Sequence, residues 1–298
     1  MKPLFGTLLF AISLFSTANA QLLYRISGNG LDVPSYIVGT YHLAPASFVD
    51  DIAGVREAMA AVEQVYGEVD MSDMARAREL MLGAMMLPEG KSISDLFTVD
   101  EMSRINAYMR EVMGVDFSNT LIASQMGRMR PSMLATQLML LQYMKLTPGF
   151  KPTELIDEYF QAEARKQGKR VGGFESEEFQ MALLYGDMSD AKEREELLEL
   201  VDNNAEAIAE MQRMADAYFS LDIKRLGDMM EGEVESGDMT LEEFKRMVTD
   251  RNRRWVEAMP KVMSSAPTLF VVGAGHLPGD EGVIALLKDA GYKVKAVR

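Results

Sequence analysis

Two short runs rich in β-forming residues, "LLYRIS" and "PSYIVGTYH", open the patterned part of the chain. They are separated by "GNGLD", whose Asn29-Gly30 pair suits a tight hairpin turn. Apolar positions then fall at helical spacing from near Asp50 or Asp51 through "IAGVREAMAAVEQ", and "VYGEVD" returns to an extended pattern. Strand, helix, strand in that order predicts a β-α-β unit. From about residue 72 to 165 the spacing is helical, in "MARARELMLGAMM", "VDEMSRINAYMREVM", "NTLIASQMGRMRPSMLATQLMLLQYM" and "TELIDEYFQAEARKQG". Gly168 is a natural stop, and "KRVGGFES" reads as another short strand. A second helical block covers about 176–263, where "DAKEREELLEL" alternates acids and bases as a solvated helix face does. The last segment, "APTLFVVGAGHLPGDEGVIALLKDAGYKVKAVR", reads strand, turn, helix, strand.

The pattern shows no 20–50-residue period and no low-complexity linker. It predicts an α/β fold with a mixed sheet core built from both chain ends, about 21–71, 169–175 and 266–298. Helical insertions at about 72–168 and 176–265 complete one domain spanning 21–298.

Composition adds a location and removes some chemistry. Residues 1–20 carry a positive Lys2, an apolar stretch and Ala18-Asn19-Ala20, the form of a cleaved export signal, so the expected location is periplasmic or secreted. The formal charge of −14 becomes one unit more negative without Lys2, which disfavours nucleic acid or an anionic membrane surface as a partner. Beyond the leader no stretch reaches the roughly 18 apolar residues of a membrane span, so no stable anchor is expected after its removal. With no cysteine, disulfides, thiolate metal ligands and cysteine nucleophiles are excluded. The 25 methionines concentrate in the helical blocks, either filling the core or lining an adaptable groove.

The candidate chemistry centres on the only two histidines, His42 and His276. Each follows an apolar run in the same G-x-x-H frame, Gly39-Thr40-Tyr41-His42 and Gly273-Ala274-Gly275-His276. Ligands of open α/β sheets bind beyond the carboxyl ends of strands, and two adjacent strands would bring these imidazoles together. Gly39, Gly273 and Gly275 permit sharp turns or close backbone approach. Glu68 and Asp70 end "VYGEVD", while Glu175 ends another strand with Gln180 one turn into the next helix. Imidazoles with a carboxylate suit Zn²⁺, Mn²⁺ or Co²⁺ with an open position for water, and a second carboxylate can act as general base. A lone histidine at a strand end is commonly structural, and Glu68 and Glu175 are two acids among 45; two histidines in one frame favour a shared site. The chain has no P-loop, no G-x-S-x-G elbow and no H-E-x-x-H helix, and "VVGAGHLPGDEG" lacks the full dinucleotide spacing.

On "YIVGTYHLAP", "VYGEVD", "LIDEYFQAEARKQGKRVGGFESEEFQ", "RNRRW" at 251–255 and "LFVVGAGHLPGDEGVIALLKDAGYKV", the chain resembles the TraB/GumN family, which includes the Tiki-type metalloproteases. The resemblance covers nearly all of 21–298 and implies a core related to the erythromycin esterase and haem-binding ChaN folds. It implies metal-dependent peptide hydrolysis as in some animal relatives, with a peptide or small-molecule substrate and a Mn, Co or Zn ion. By position it implies His42, His276 and Glu68 as metal ligands and Glu175 as general base or fourth ligand. Gln180, Arg251 and Asn252 are further catalytic candidates. Arg251 either holds a substrate carboxylate or an oxyanion, or pairs with a core acid; Trp255, the only tryptophan, reads as a packing anchor. Gly67 departs from the bulkier residue expected of Tiki-type sequences. Two alternatives stand beside hydrolysis: binding of a metal, haem or small ligand without turnover, and a structural role with the helical insertion as a protein-interaction surface.

Overall fold

The computed structural model describes residues 21–72, 74–186 and 188–298; the export signal read at residues 1–20 lies outside them. Six strands form one sheet: β1 Leu23–Gly28, β2 Leu31–Thr40, β3 Gln64–Val69, β4 Arg170–Glu175, β5 Thr268–Gly273 and β6 Lys293–Ala296, in the order β4-β3-β5-β2-β1-β6. The first four in that order are parallel, whereas β1 runs antiparallel to both β2 and β6. The sheet is therefore mixed and built from both chain ends, as the sequence pattern predicts.

Local chemistry explains the strands. The β1–β2 turn takes Asn29 to φ 48° and Gly30 to φ 83°, the left-handed pair that an Asn-Gly sequence tolerates. Five consecutive residues of β5, Thr268 to Val272, are buried, as required of a central parallel strand covered on both faces.

Among the described residues there are thirteen α-helices. Helix α1 spans Val55–Ala61, and the β3–β4 connection carries α2 Met74–Met85, α3 Val99–Met113, α4 Thr120–Met126, α5 Pro131–Leu146 and α6 Ile156–Lys166. The β4–β5 connection carries α7 Glu177–Met181, α8 Asp190–Asp202, α9 Asn204–Phe219, α10 Ile223–Ser236, α11 Leu241–Phe244 and α12 Asp250–Ser265; α13 Val283–Asp289 joins β5 to β6. Helix α1 starts later than its apolar spacing suggests. Residues Ala46–Asp51 form a 3₁₀ turn, and Gly54 at φ 74° is left-handed, so the regular helix begins only after it. Asp50 pairs with the Arg56 side chain instead of opening the helix.

Two apolar cores result. The larger surrounds the sheet and includes Ile156 and Phe160 of α6, Trp255 and Met259 of α12, and Leu287 of α13. The smaller joins Ile105 and Met109 of α3, Leu134 and Leu138 of α5, and Leu197 of α8. Thus α6 and α12, inside the two helical stretches, pack on the sheet, while α3, α5 and α8 pack on one another.

Helix α6 also shapes the end of β3. Buried Gln161 donates Nε2 to the Val69 carbonyl at 2.7 Å and accepts the Met71 N–H at 2.9 Å, clamping the chain as it leaves the strand. The amide passes over Gly67, where any Cβ would collide with Gln161 Nε2. This clamp is the physical reason for glycine at 67. Gly67→Ala is expected to lower stability by about 1–3 kcal/mol, the usual cost of overpacking, measured as a reduced urea midpoint with an unchanged slope.

Candidate functional site

Four parallel strands end side by side, and each delivers one candidate side chain. His42 lies two residues beyond β2, Glu68 near the end of β3, Glu175 at the last position of β4, and His276 in the 3₁₀ turn Ala274–His276 after β5. Pairing sets this alignment: Thr40 opposes Gly273, and Val69 opposes Glu175. The turn after β5 sits tightly on β2, since a Cβ on Gly39 would meet Ala274 and Leu277, and one on Gly275 would meet Met230. Those glycines serve close packing within the chain. Asp70 has a local role, its Oδ1 accepting the Ser72 N–H at 2.9 Å.

Helix α12 adds Arg251, Asn252 and Trp255, at spacings that place all three toward the strand ends, and all are buried. The helix is preceded by a π-helical turn, Lys245–Thr249, whose Met247 carbonyl accepts from Arg251 Nη1 at 3.1 Å. Arg251 Nε donates to Glu175 Oε1 at 2.9 Å, and Nη2 to Glu175 Oε2 at 2.8 Å and Glu68 Oε2 at 2.6 Å. Its second Nη1 hydrogen faces His276 Nε2 at 3.2 Å. All five guanidinium N–H groups are thereby used, and Arg251 pairs with the core acids Glu68 and Glu175.

Glu175 is equally occupied. Besides Arg251, its oxygens accept from Trp255 Nε1 at 3.0 Å and Gln180 Nε2 at 3.1 Å, and the side chain is 5% exposed. Trp255 stacks on Phe174 at 5.6 Å, packing the helix onto the sheet. Glu68 accepts from Arg251, from Gln180 at 3.1 Å and from the Gly273 N–H at 2.8 Å. Burial works against its charge, yet the His276 ring, the Arg251 cation and the Gly273 N–H prevail and hold its pKa down at about 2.

The state of His276 follows from a chain of fixed donors. The Glu281 carbonyl only accepts, so Asn252 turns Nδ2 toward it at 2.8 Å and presents Oδ1 to His276 Nδ1 at 2.6 Å. Nδ1 therefore carries the proton, and the Nε2 lone pair faces Arg251. Burial depresses the ring's pKa to about 4, which keeps it neutral at neutral pH.

His42 has a different environment. Its side chain is 79% exposed, and Nδ1 donates to Asp157 Oδ2 at 3.0 Å. Asp157, in the first turn of α6, is held in turn by the Thr40 hydroxyl on Oδ1. The bond to Asp157 raises the affinity of the ring for a proton. A cavity of about 310 Å³ is bordered by His42, Asp157, Glu68, Gln180, Met71 and Met181. The two histidines thus share one end of the sheet and no direct bond: His42 borders the cavity, and His276 belongs to the buried cluster beneath it. Sequence reading missed Asp157 and Thr40. The available signal was the acid in "LIDEYF", which looks like any acid favoured at a helix start.

A divalent ion on His42, Glu68 and His276 would need their lone pairs to converge. Among the described residues no group of three or more His, Asp or Glu side chains is placed to hold one. Arg251 takes up the Nε2 lone pair of His276 and bonds both glutamates. As folded, this donor set does not fit the ion.

Two outcomes test the cluster. Glu175→Ala, which leaves Arg251 with a lost partner, should cost about 3–5 kcal/mol in denaturant unfolding. Because His276 holds its proton less tightly in the folded state, unfolding gains protons as pH falls. Stability should therefore decline from about pH 6.5 toward about 4, and His276→Gln should flatten that part of the pH–stability curve.

Neither the curated proteins nor the solved structures searched contain a match to this chain. A family model does match, over residues 22–296, a span that takes in all six strands and every residue of the cluster. With nearly the whole chain covered, the protein belongs to the TraB/PrgY/gumN family.

Proposed function

We propose that the cavity at the strand ends is the active site of a hydrolase that cleaves a peptide or other acyl bond, with His42 as the proton-transfer group. The observation that carries this reading is the Thr40–Asp157–His42 arrangement at the cavity edge, beside an ionised Glu68. In the base form of His42, which exists above its raised pKa, Nδ1–H stays committed to Asp157 and Nε2 has the lone pair to offer a water molecule. In the reaction that water adds to the acyl carbon while Nε2 takes its proton, and Asp157 stabilises the imidazolium formed. The imidazolium then protonates the departing amine or alkoxide as the C–N or C–O bond breaks. Glu68 keeps acceptor capacity on Oε1 to orient the water. Arg251 and Glu175, saturated and buried, hold Glu68 in place.

Each step uses groups of the chain itself, because Arg251 already engages the donors a divalent ion would need. The leader-like residues 1–20 support an exported setting, periplasmic or secreted. Among the described residues, no helix is long and apolar enough to cross a membrane.

Turnover of peptide and ester libraries by the purified protein tests the reading, with His42→Ala expected to lose at least ~100-fold in kcat/KM. The base form of His42 exists above its raised pKa, so kcat/KM should rise with pH across that range. Asp157→Asn removes the raising charge, and the limb should move to lower pH while the plateau falls. A limb that stays in place would remove His42 from the role. Retention of a small ligand without turnover would favour the binding-protein alternative.

A further inference from the structure

We propose that Arg251 is the resident cation of this site: its guanidinium occupies the position a divalent ion would take among Glu68, Glu175 and His276, and the folded protein binds no metal there. The inference goes beyond hydrolysis and stands whether or not turnover is found.

A metal at the ends of β3, β4 and β5 would draw on the two glutamates those strands present and on His276 Nε2. Those are the groups around Arg251, at distances from 2.6 to 3.2 Å. The imidazole is oriented as a metal ligand would be, with Nδ1–H fixed by a partner and Nε2 pointing at a cation. The cation it meets is a side chain.

Three features keep the guanidinium in place. It is planar and permanently charged, and its fork matches Glu175 through two parallel bonds. The guanidinium carbon lies 4.8 Å from the centre of the Trp255 ring, which is itself packed on Phe174. The Met247 carbonyl fixes Nη1 from the other side. For an ion to enter, Arg251 would have to leave five partners in a region where its side chain is 6% exposed, carrying its charge with it. Two carboxylates facing one space need a cation, and the chain supplies one.

The test is metal content together with thermal shift. Wild type purified without chelator is expected to contain no stoichiometric Mn, Co or Zn by elemental mass spectrometry. Each ion added to wild type should give the same small shift as in His276→Ala. Arg251→Ala empties the centre and leaves two carboxylates and an imidazole around it, a donor set suited to a divalent ion. That variant should start less stable and gain roughly 5 °C or more with at least one of the three ions at saturation. Arg251→Ala/His276→Ala should not.

Near-stoichiometric metal in wild type that disappears in His276→Ala would overturn the proposal. So would a folded Arg251→Ala that none of the ions stabilises. Should Arg251→Ala fail to fold, wild-type metal content against His276→Ala decides the question alone. Failure of the hydrolase reading is separate: it appears as absent turnover, which these metal measurements do not depend on.

Discussion

A guanidinium held between two buried carboxylates ties together the end of this sheet where the parallel strands finish. Glu68 comes from β3, Glu175 from β4 and Arg251 from α12, so one side chain bridges two strands and the helix that packs on them. A buried ion group of this kind gives little net stability over an apolar equivalent, but losing one member leaves unpaired charge in a poor solvent. Its value is geometric. Gln180, Trp255 and the Gly273 N–H add further donors to the two glutamates, and His276 closes the ring on Arg251. Every group there has a required orientation, and the cavity-facing edge of Glu68 inherits it.

The two histidines differ along a gradient of burial. His276 is enclosed, kept neutral and read out through a single tautomer by Asn252. His42 is open to solvent and drawn toward its charged form by Asp157. Matching sequence frames therefore deliver one ring to a rigid interior and the other to a cavity where protons can be exchanged. What differs is what covers each strand end. Arg251, Asn252 and Trp255 of α12 close on the His276 ring, whereas His42 meets Asp157 in the first turn of α6 and stays exposed.

Much of this was legible in the chain itself. Alternating β-rich runs and helical spacing are local signals, and they place the sheet in both chain ends and the two G-x-x-H frames at strand termini. The Asn29-Gly30 turn is local in the same sense. Side-chain partners 100 or more residues apart are not: Asp157 bonds His42 across 115 positions, and Arg251 meets Glu68 across 183. Sequence spacing carries no information about which of 45 acids a given cation will meet. Neither could spacing show that Arg251 has no N–H left over, a property that emerges only from counting partners in space. The delayed start of α1 was missed because apolar periodicity continues through Gly54, whose left-handed backbone interrupts the helix without disturbing the pattern.

The order of strands has a consequence for how the molecule comes into being. Strand β5 lies between β2 and β3, yet it is the fifth to be synthesised and begins only at Thr268. Until it arrives, β2 and β3 have no common neighbour, and the parallel half of the sheet has a gap at its centre. Contacts that close such a gap span more than two hundred residues of sequence, a topology that makes folding slow and dependent on the whole chain. Glu68 borders that gap and His276 arrives with the strand that fills it, so the cation between them has its full set of partners only once β5 is in place.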